Sequence, residues 1–212
     1  MARYTGAVCR LCRRAQEKLF LKGTRCFIEK CALVKRNYAP GQQGNKGDKR
    51  RVKLSNYGLQ MREKQKVKRM YGVMEKQFRR YFSIAAKSKG VTGKILLQLL
   101  ERRLDNVIFR LGIALSRSQA RQIVRHNQVY VNSKRVNIPS FTVDKNDVIT
   151  VKVKAKGLEK IRENLEISKD RTLAAWLSFD KEALQASILR LPEKEDLQQL
   201  IQEQLIVELY SK

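Results

Sequence analysis

The sequence predicts an α+β fold, mainly helical, in which a small helix–helix–β-hairpin module is joined to a helical body. Three observations carry that prediction. Apolar residues recur at helical spacing in stretches near 58–71, 75–87, 93–111 and 117–125. Strand-favouring residues then flank a two-residue turn over 128–136, and apolar and polar residues alternate over 149–154, as a half-buried strand requires. Four cysteines cluster within Cys9–Cys31, ahead of all of these. The expected division is 1–45, a metal-bound cysteine knuckle with a basic loop; 46–92, a basic helical domain; 93–174, the small module; and 175–212, a segment returning to the helical body.

From the N-terminus, the first feature is Cys9-x-x-Cys12, then thirteen residues, then Cys26-x-x-x-x-Cys31. Two cysteine pairs about a dozen residues apart can aim four sulfurs at one tetrahedral centre, the pattern of a structural zinc site. The second spacing is two residues longer than usual. An iron–sulfur cluster takes the same ligands and is the alternative cofactor. Arg10, Arg13, Arg14, Arg25 and Lys30 flank the cysteines and are expected to favour thiolates. The only histidine, His126, lies far away in sequence and is not expected to be a ligand. The opening Met-Ala-Arg-Tyr-Thr-Gly lacks an apolar leader, so a cytoplasmic location is expected.

Residues 35–51 follow, with three glycines, Pro40 and several cations but almost no apolar residue. We read them as a basic loop that orders against phosphates, its glycines letting backbone amides approach an anion. Ser55 precedes a helix near Gly58–Tyr71, dense in cations, with Leu59, Val67 and Met70 as a narrow apolar stripe. Gly72 ends it. Phe78, Tyr81, Phe82 and Ala85 set the core face of a helix at Glu75–Lys87. Thr92 caps a third helix, near Gly93–Leu111, with Leu96, Leu100, Leu104, Val107, Ile108 and Leu111 on one face and Arg102, Asp105 and Asn106 opposite. Gly112 closes it.

Ser116-Arg117-Ser118-Gln119 reads as a capping box for a helix at Arg117–Arg125. Arg117, Arg121 and Arg125, at steps of four, form a cationic stripe opposite Ala120, Ile123 and Val124. A hairpin follows, Gln128–Val131 and Lys134–Val136 about a two-residue turn, Asn132-Ser133. Ile149, Val151 and Val153 mark a further strand. Beyond it are a short amphipathic helix at Leu158–Ile167, an apolar corner at Trp176, Leu177 and Phe179, a polar helix near Glu193–Gln202 and a terminal strand at Gln204–Tyr210.

The charge is lopsided along this order. The chain carries +26 net, and residues 1–100 hold 26 Lys and Arg against 5 Asp and Glu, while 157–212 hold 8 against 11. Self-repulsion on this scale points to a polyanionic partner for the first half and to protein contacts for the tail. No run of 18 apolar residues exists, and the single Trp is in the acidic third, so no membrane partner is expected. An RNA-modifying enzyme would need placed acids or nucleophiles, whereas here the acids are sparse and mostly C-terminal. There is no Gly-rich cofactor loop and no metal site with an open position. No catalysis and no small-molecule substrate are expected.

Leu100-Glu101-Arg102-Arg103-Leu104-Asp105-Asn106-Val107, Arg110-Leu111-Gly112, Ser116–His126 and Val131-Asn132-Ser133-Lys134-Arg135-Val136 resemble the bacterial small-subunit ribosomal protein S-four family. So do Tyr57–Lys66, Leu189-Arg190-Leu191-Pro192 and Glu203–Glu208, so the resemblance covers essentially the whole chain. The helix–helix–hairpin module alone recurs in pseudouridine synthases and tyrosyl-tRNA synthetases; its flanks make the match specific. The resemblance implies a structural constituent that binds small-subunit ribosomal RNA early in assembly, at a helix junction of the 5′ domain. It further implies neighbours in ribosomal protein S-five and other small-subunit proteins, and a place near the channel where mRNA enters. There the family influences decoding accuracy, and some members repress their own operon.

Candidate RNA contacts are Arg3, Arg13 and Arg14 near the cysteines, and Lys35, Arg36, Lys46, Lys49, Arg50, Arg51 and Lys53 in and after the loop. Arg62, Lys66 and Arg69 on the basic helix join them, as do Arg117, Arg121, Arg125, Lys134 and Arg135, which match the family's RNA face on the module. Cys9, Cys12, Cys26 and Cys31 match the subset of the family that holds a metal. Two departures stand out: Gln43 replaces the family's loop histidine, and Ser133 replaces the glycine of the hairpin turn.

Overall fold

The computed structural model describes residues 3–42, 44, 54–169, 171–197 and 201–211, except the Lys156 side chain. The chain forms two compact units, Met1–Gly93 with Leu200–Lys212, and Lys94–Gln199. Together they are α+β and mainly helical, with one antiparallel sheet.

In the first unit, α1 is Cys9–Ala15, a 3-10 turn spans Gly23–Cys26, and α2 is the single turn Ala32–Lys35. Helix α3 runs Asn56–Met70, and the Ser55 hydroxyl caps it by accepting from the Gly58 amide at 3.2 Å. Its buried face differs from the expected stripe. Val67 and Met70 are buried, but Leu59 is exposed, and Gln60 and Lys64 take its place. Lys64 Nζ donates to Glu75 Oε1 at 2.8 Å and Gln60 Nε2 to Glu208 Oε2 at 2.9 Å, while Gln60 Oε1 is buried without a hydrogen-bond partner among the described residues. Helix α4, Glu75–Lys87, begins and ends where the aromatic spacing predicts, with Phe78 and Ala85 fully buried.

The second unit contains α5 at Thr92–Glu101 (its first two residues belonging to the first unit), α6 at Leu104–Arg110 and α7 at Arg117–Arg125. The single helix expected over 93–111 is therefore two. The break has a cause. The amides of Leu104 and Asp105 donate to Phe141 O and Pro139 O, at 2.9 and 3.2 Å, instead of continuing the helix. Arg103 is extended and bridges Thr142. Helix α7 keeps the predicted limits: Ser116 Oγ accepts from the Gln119 amide, and Gln119 Oε1 accepts from Leu115 N rather than from the cap residue.

The sheet has strand order β2-β1-β3-β5-β4, formed by β1 Val129–Val131, β2 Lys134–Arg135, β3 Val148–Val151, β4 Leu177–Asp180 and β5 Gln185–Ile188. The hairpin turn is as expected: Asn132 and Ser133 both have positive φ, 48° and 64°. Strands β4 and β5 were not expected. They lie in the segment assigned from sequence to the helical body, yet β5 pairs with β3 through Ile149 and Ala186. Trp176, read as part of an apolar corner, is fully buried in the core beneath this sheet with Val107, Ile149 and Ile188. Helix α8, Ala155–Ile167, is tied down where Asn164 Nδ2 donates to Ile113 O at 3.0 Å.

The tail corrects two expectations. Of the stretch expected as a polar helix near 193–202, the described residues form only a 3-10 turn, Lys194–Asp196, and residues 198–200 lie outside the described residues. The terminal strand is a helix, α9, Glu203–Tyr210. Helical spacing places Ile206 in the first unit's core and lays the Tyr210 ring against Phe82 (centroids 4.6 Å apart) and Phe78 (6.2 Å). Among the described residues, no helix is long and apolar enough to cross a membrane.

Candidate nucleic-acid interface

All four cysteines line one pocket, together with Val8, Leu21 and Lys22. None is in a disulfide, and Cys12, Cys26 and Cys31 are buried. In donor type this set suits zinc or an iron–sulfur cluster. In placement it does not: among the described residues no group of three or more His, Cys, Asp or Glu side chains is arranged to hold a metal ion. For Cys12 and Cys26 the basic neighbours do not bring about the expected thiolates. Burial raises the Cys12 and Cys26 thiols, and the charge of the other cysteines adds to the rise.

The candidate cations of the first unit fall into four groups. Arg3, Arg14, Lys35, Arg36 and Arg62 are exposed. Arg13 is used within the fold: Nε donates to Tyr38 O at 3.0 Å and the guanidinium lies 4.6 Å over the Tyr38 ring, tying the loop to α1. Lys66 is likewise engaged, 3.1 Å from both Glu17 and Glu63. Lys46, Lys49, Arg50, Arg51 and Lys53, like Gln43, lie outside the described residues. Arg69 sits close enough to Arg14 that burial first and that like charge second lower its guanidinium pKa. Two cations held together by the fold favour an anion beside them. Arg14 also lines an open pocket with Pro40 and Gly41, where φ is +111°.

In the second unit the arginine stripe divides. Arg125 is exposed at the end of α7, as are Lys134 and Arg135 in the hairpin. Arg121 is buried, with Nη1 3.6 Å from Asp105 Oδ2. Arg117 is half-buried: its guanidinium lies 4.5 Å over the Phe109 ring and Nε donates to Asn106 Oδ1 at 2.8 Å.

Behind these arginines lies a buried polar cluster, which includes Asp105 and Asn106, two residues whose spacing sets them opposite the apolar helix face. Arg110 grips Glu101 with two bonds of 3.0 and 2.7 Å, and Arg103 grips Asp105 with bonds of 3.0 and 2.6 Å. Both pairs are almost wholly excluded from water. Paired charges with bidentate geometry can be buried where single ones cannot. Pattern reasoning failed here because it sorts residues by polarity, while burial here depends on pairing.

Some exposed cations were absent from the candidate set. Lys76, Arg79, Arg80 and Lys87 stand on the outer face of α4; their helical spacing opposite Phe78 and Ala85 was a signal available in the sequence. Arg171 is half-buried, 5.3 Å over the Phe109 ring, and has no comparable signal in the sequence.

Residues 3–101 match the family described as ribosomal protein S4/S9 N-terminal domain, and residues 102–149 match the S4 domain. The chain is 57% identical to small ribosomal subunit protein uS4 of Thermodesulfovibrio yellowstonii over 212 residues, all of both chains. Over the same full lengths it is 56% identical to uS4 of Acetivibrio thermocellus and 55% to that of Dictyoglomus turgidum. Two adjoining domain matches and full-length identity above one half place this chain in the ribosomal protein S4 family.

Proposed function

We propose that the chain grips a helix junction in the 5′ domain of small-subunit ribosomal RNA through the exposed cations of both its units, and nucleates assembly there. As a member of its family it is a non-enzymatic constituent of the small ribosomal subunit, binds ribosomal RNA and works in the cytoplasm. The observation supporting the finer reading is the set of cations that the fold leaves facing outward. Arg14 and Arg62 stand on the first unit, and Arg125, Lys134 and Arg135 on the second, in a chain of net charge +26. Phosphate neutralisation and shape recognition of folded RNA follow from such a surface. Neighbours in ribosomal protein S-five and at the channel where mRNA enters, a part in decoding accuracy, and repression of the chain's own operon belong to the same proposal.

The test is the salt dependence of binding to a 5′-domain transcript. About six phosphate contacts predict a log–log slope near −4 to −5. A slope near −1 rejects the electrostatic account.

The cysteines carry a second part of the proposal. In this reading Cys9, Cys12, Cys26 and Cys31 draw closer together than in the arrangement described above and hold a structural zinc ion, which would stabilise a segment too short to build its own core. Their spacing, shared pocket and free thiols support it. Elemental analysis and an absorption spectrum of freshly purified subunits should give one zinc per chain and no visible band. A brown sample containing iron replaces zinc with an iron–sulfur cluster, and a metal-free sample removes the proposal.

A further inference from the structure

We infer that Asn106 is a positioning residue for RNA binding: its side-chain amide, locked by Glu101, seats the guanidinium of Arg117 on the RNA face of the second unit. The inference rests on the reading of Arg117 as an RNA contact.

Asn106 is 1% exposed, at the start of α6. An asparagine amide presents a donor at one end and an acceptor at the other, and only its partners decide which end points where. Here the partners leave no choice. Nδ2 faces two acceptors, Glu101 O at 3.0 Å and Glu101 Oε2 at 2.8 Å. A flipped amide would set Oδ1 against a carbonyl and a carboxylate. The Glu101 carboxylate cannot swing away to relieve that clash, because Arg110 holds both of its oxygens at 2.7 and 3.0 Å. Oδ1 is therefore fixed toward α7, where it accepts from Arg117 Nε at 2.8 Å.

Arginine is a poor rigid element by itself, since holding its long side chain in one geometry costs rotamer entropy. Two contacts reduce that cost before any RNA arrives. The bond to Asn106 fixes Nε, and the Phe109 ring, 4.5 Å below, fixes the guanidinium plane. Phe109 is itself 5% exposed and so cannot tilt freely. The chain of control runs from Arg110 through Glu101 and Asn106 to Arg117. None of the first three needs to touch RNA. This explains why a carboxylate is buried a few residues from an RNA surface, where an acid would otherwise repel phosphate. Its charge is neutralised by Arg110, and Oε2 also accepts from Asn106 Nδ2, which orients that amide.

The experiment is a double-mutant cycle in the full-length protein, using a 5′-domain transcript of small-subunit RNA as the probe. Arg117→Ala should make the log–log salt slope less negative by about 0.7 to 0.9, the share of one phosphate contact. Asn106→Ala should do the same without removing any cation. The double variant should bind within about twofold of the weaker single variant, whereas Asn106→Ala combined with Arg125→Ala should be additive. If Asn106→Ala and Arg117→Ala add in full, the inference fails while the RNA role of Arg117 stands. If Arg117→Ala leaves the slope unchanged, the underlying reading fails first and the inference with it. A second measurement covers loss of folding in the alanine variant. In the free wild-type protein the Arg117 Nε–H should give a sharp, exchange-protected 15N resonance, identified by its absence in Arg117→Lys. An Nε–H that exchanges as fast as that of exposed Arg125 overturns the inference without recourse to any Asn106 variant.

Discussion

Asn132 and Ser133 show how much a single residue can be read for, and what it costs. Both adopt positive φ, as the two-residue turn demanded. Asn132 is well served there, because Oδ1 accepts from Val148 N at 2.9 Å and Nδ2 donates to Asp147 at 2.7 Å. Ser133 has no such compensation in the turn, and a serine at φ 64° is strained on the order of 1 kcal/mol relative to glycine. Ser133→Gly should therefore tighten the hairpin. The Val136 amide, bonded to Val129 O at 3.0 Å, should exchange with solvent about fivefold more slowly in the variant. Unchanged exchange would mean the turn is not the weak point of the hairpin. The strain was legible because it depends only on local chemistry. The burial of Asp105 and Arg121 was not, since it depends on partners that the chain folds into place from a distance.

At the level of elements, helices α4 and α7 begin and end where spacing and caps placed them, and the failures share one cause. Strand β4 is four residues long and, among the described residues, pairs only with β5, and β5 exists because β3 offers it an edge. Helix α9 reads as a strand through Leu205, Val207 and Leu209, but tertiary packing on α3 and α4 overrides that alternation. Glu75 is the joint of this packing. It accepts from Lys64 and Lys68 of α3 and from the Tyr210 hydroxyl of α9, each at 2.8 Å. Burial alone would raise its carboxyl, but these three bonds outweigh it and hold the pKa at about 2. Burial and the Glu75 carboxylate push the Tyr210 hydroxyl upward in turn. The sign follows from linkage. A carboxyl depressed in the fold contributes stability that is complete above its unfolded value near 4.5 and is lost as pH falls towards 2. Its side chain is 45% exposed, so screening reduces the contribution to about 1 kcal/mol. Glu75→Gln should melt lower than wild type at neutral pH, and the gap should close between pH 4.5 and 2. A gap that persists at pH 2 would show that lost packing, not charge, separates the two proteins.

At the scale of the whole molecule, the charge gradient was the most legible feature, because it requires no folding to be read. The division of the chain was less so: residues 175–199 cluster with the second unit and only 200–212 return to the first. The gradient carries a prediction of its own, in which two electrostatic effects oppose each other. A net charge of +26 destabilises the free fold by self-repulsion, and salt relieves it. Salt also weakens exposed ion pairs such as Arg102–Asp144 and those of Glu75, but each is worth only about 0.2 to 1 kcal/mol. The buried Glu101–Arg110 and Arg103–Asp105 pairs are shielded from salt and do not enter the balance. Repulsion should win. Raising sodium chloride from about 0.05 to 0.5 M should lift the melting temperature of the free protein by a few degrees. The same change should weaken its grip on RNA by orders of magnitude. Opposite signs for fold and complex are what a surface built for a polyanion demands. A melting temperature that falls with salt would mean that the exposed ion pairs outweigh the uncompensated charge. The cations would then serve the fold before they serve the RNA.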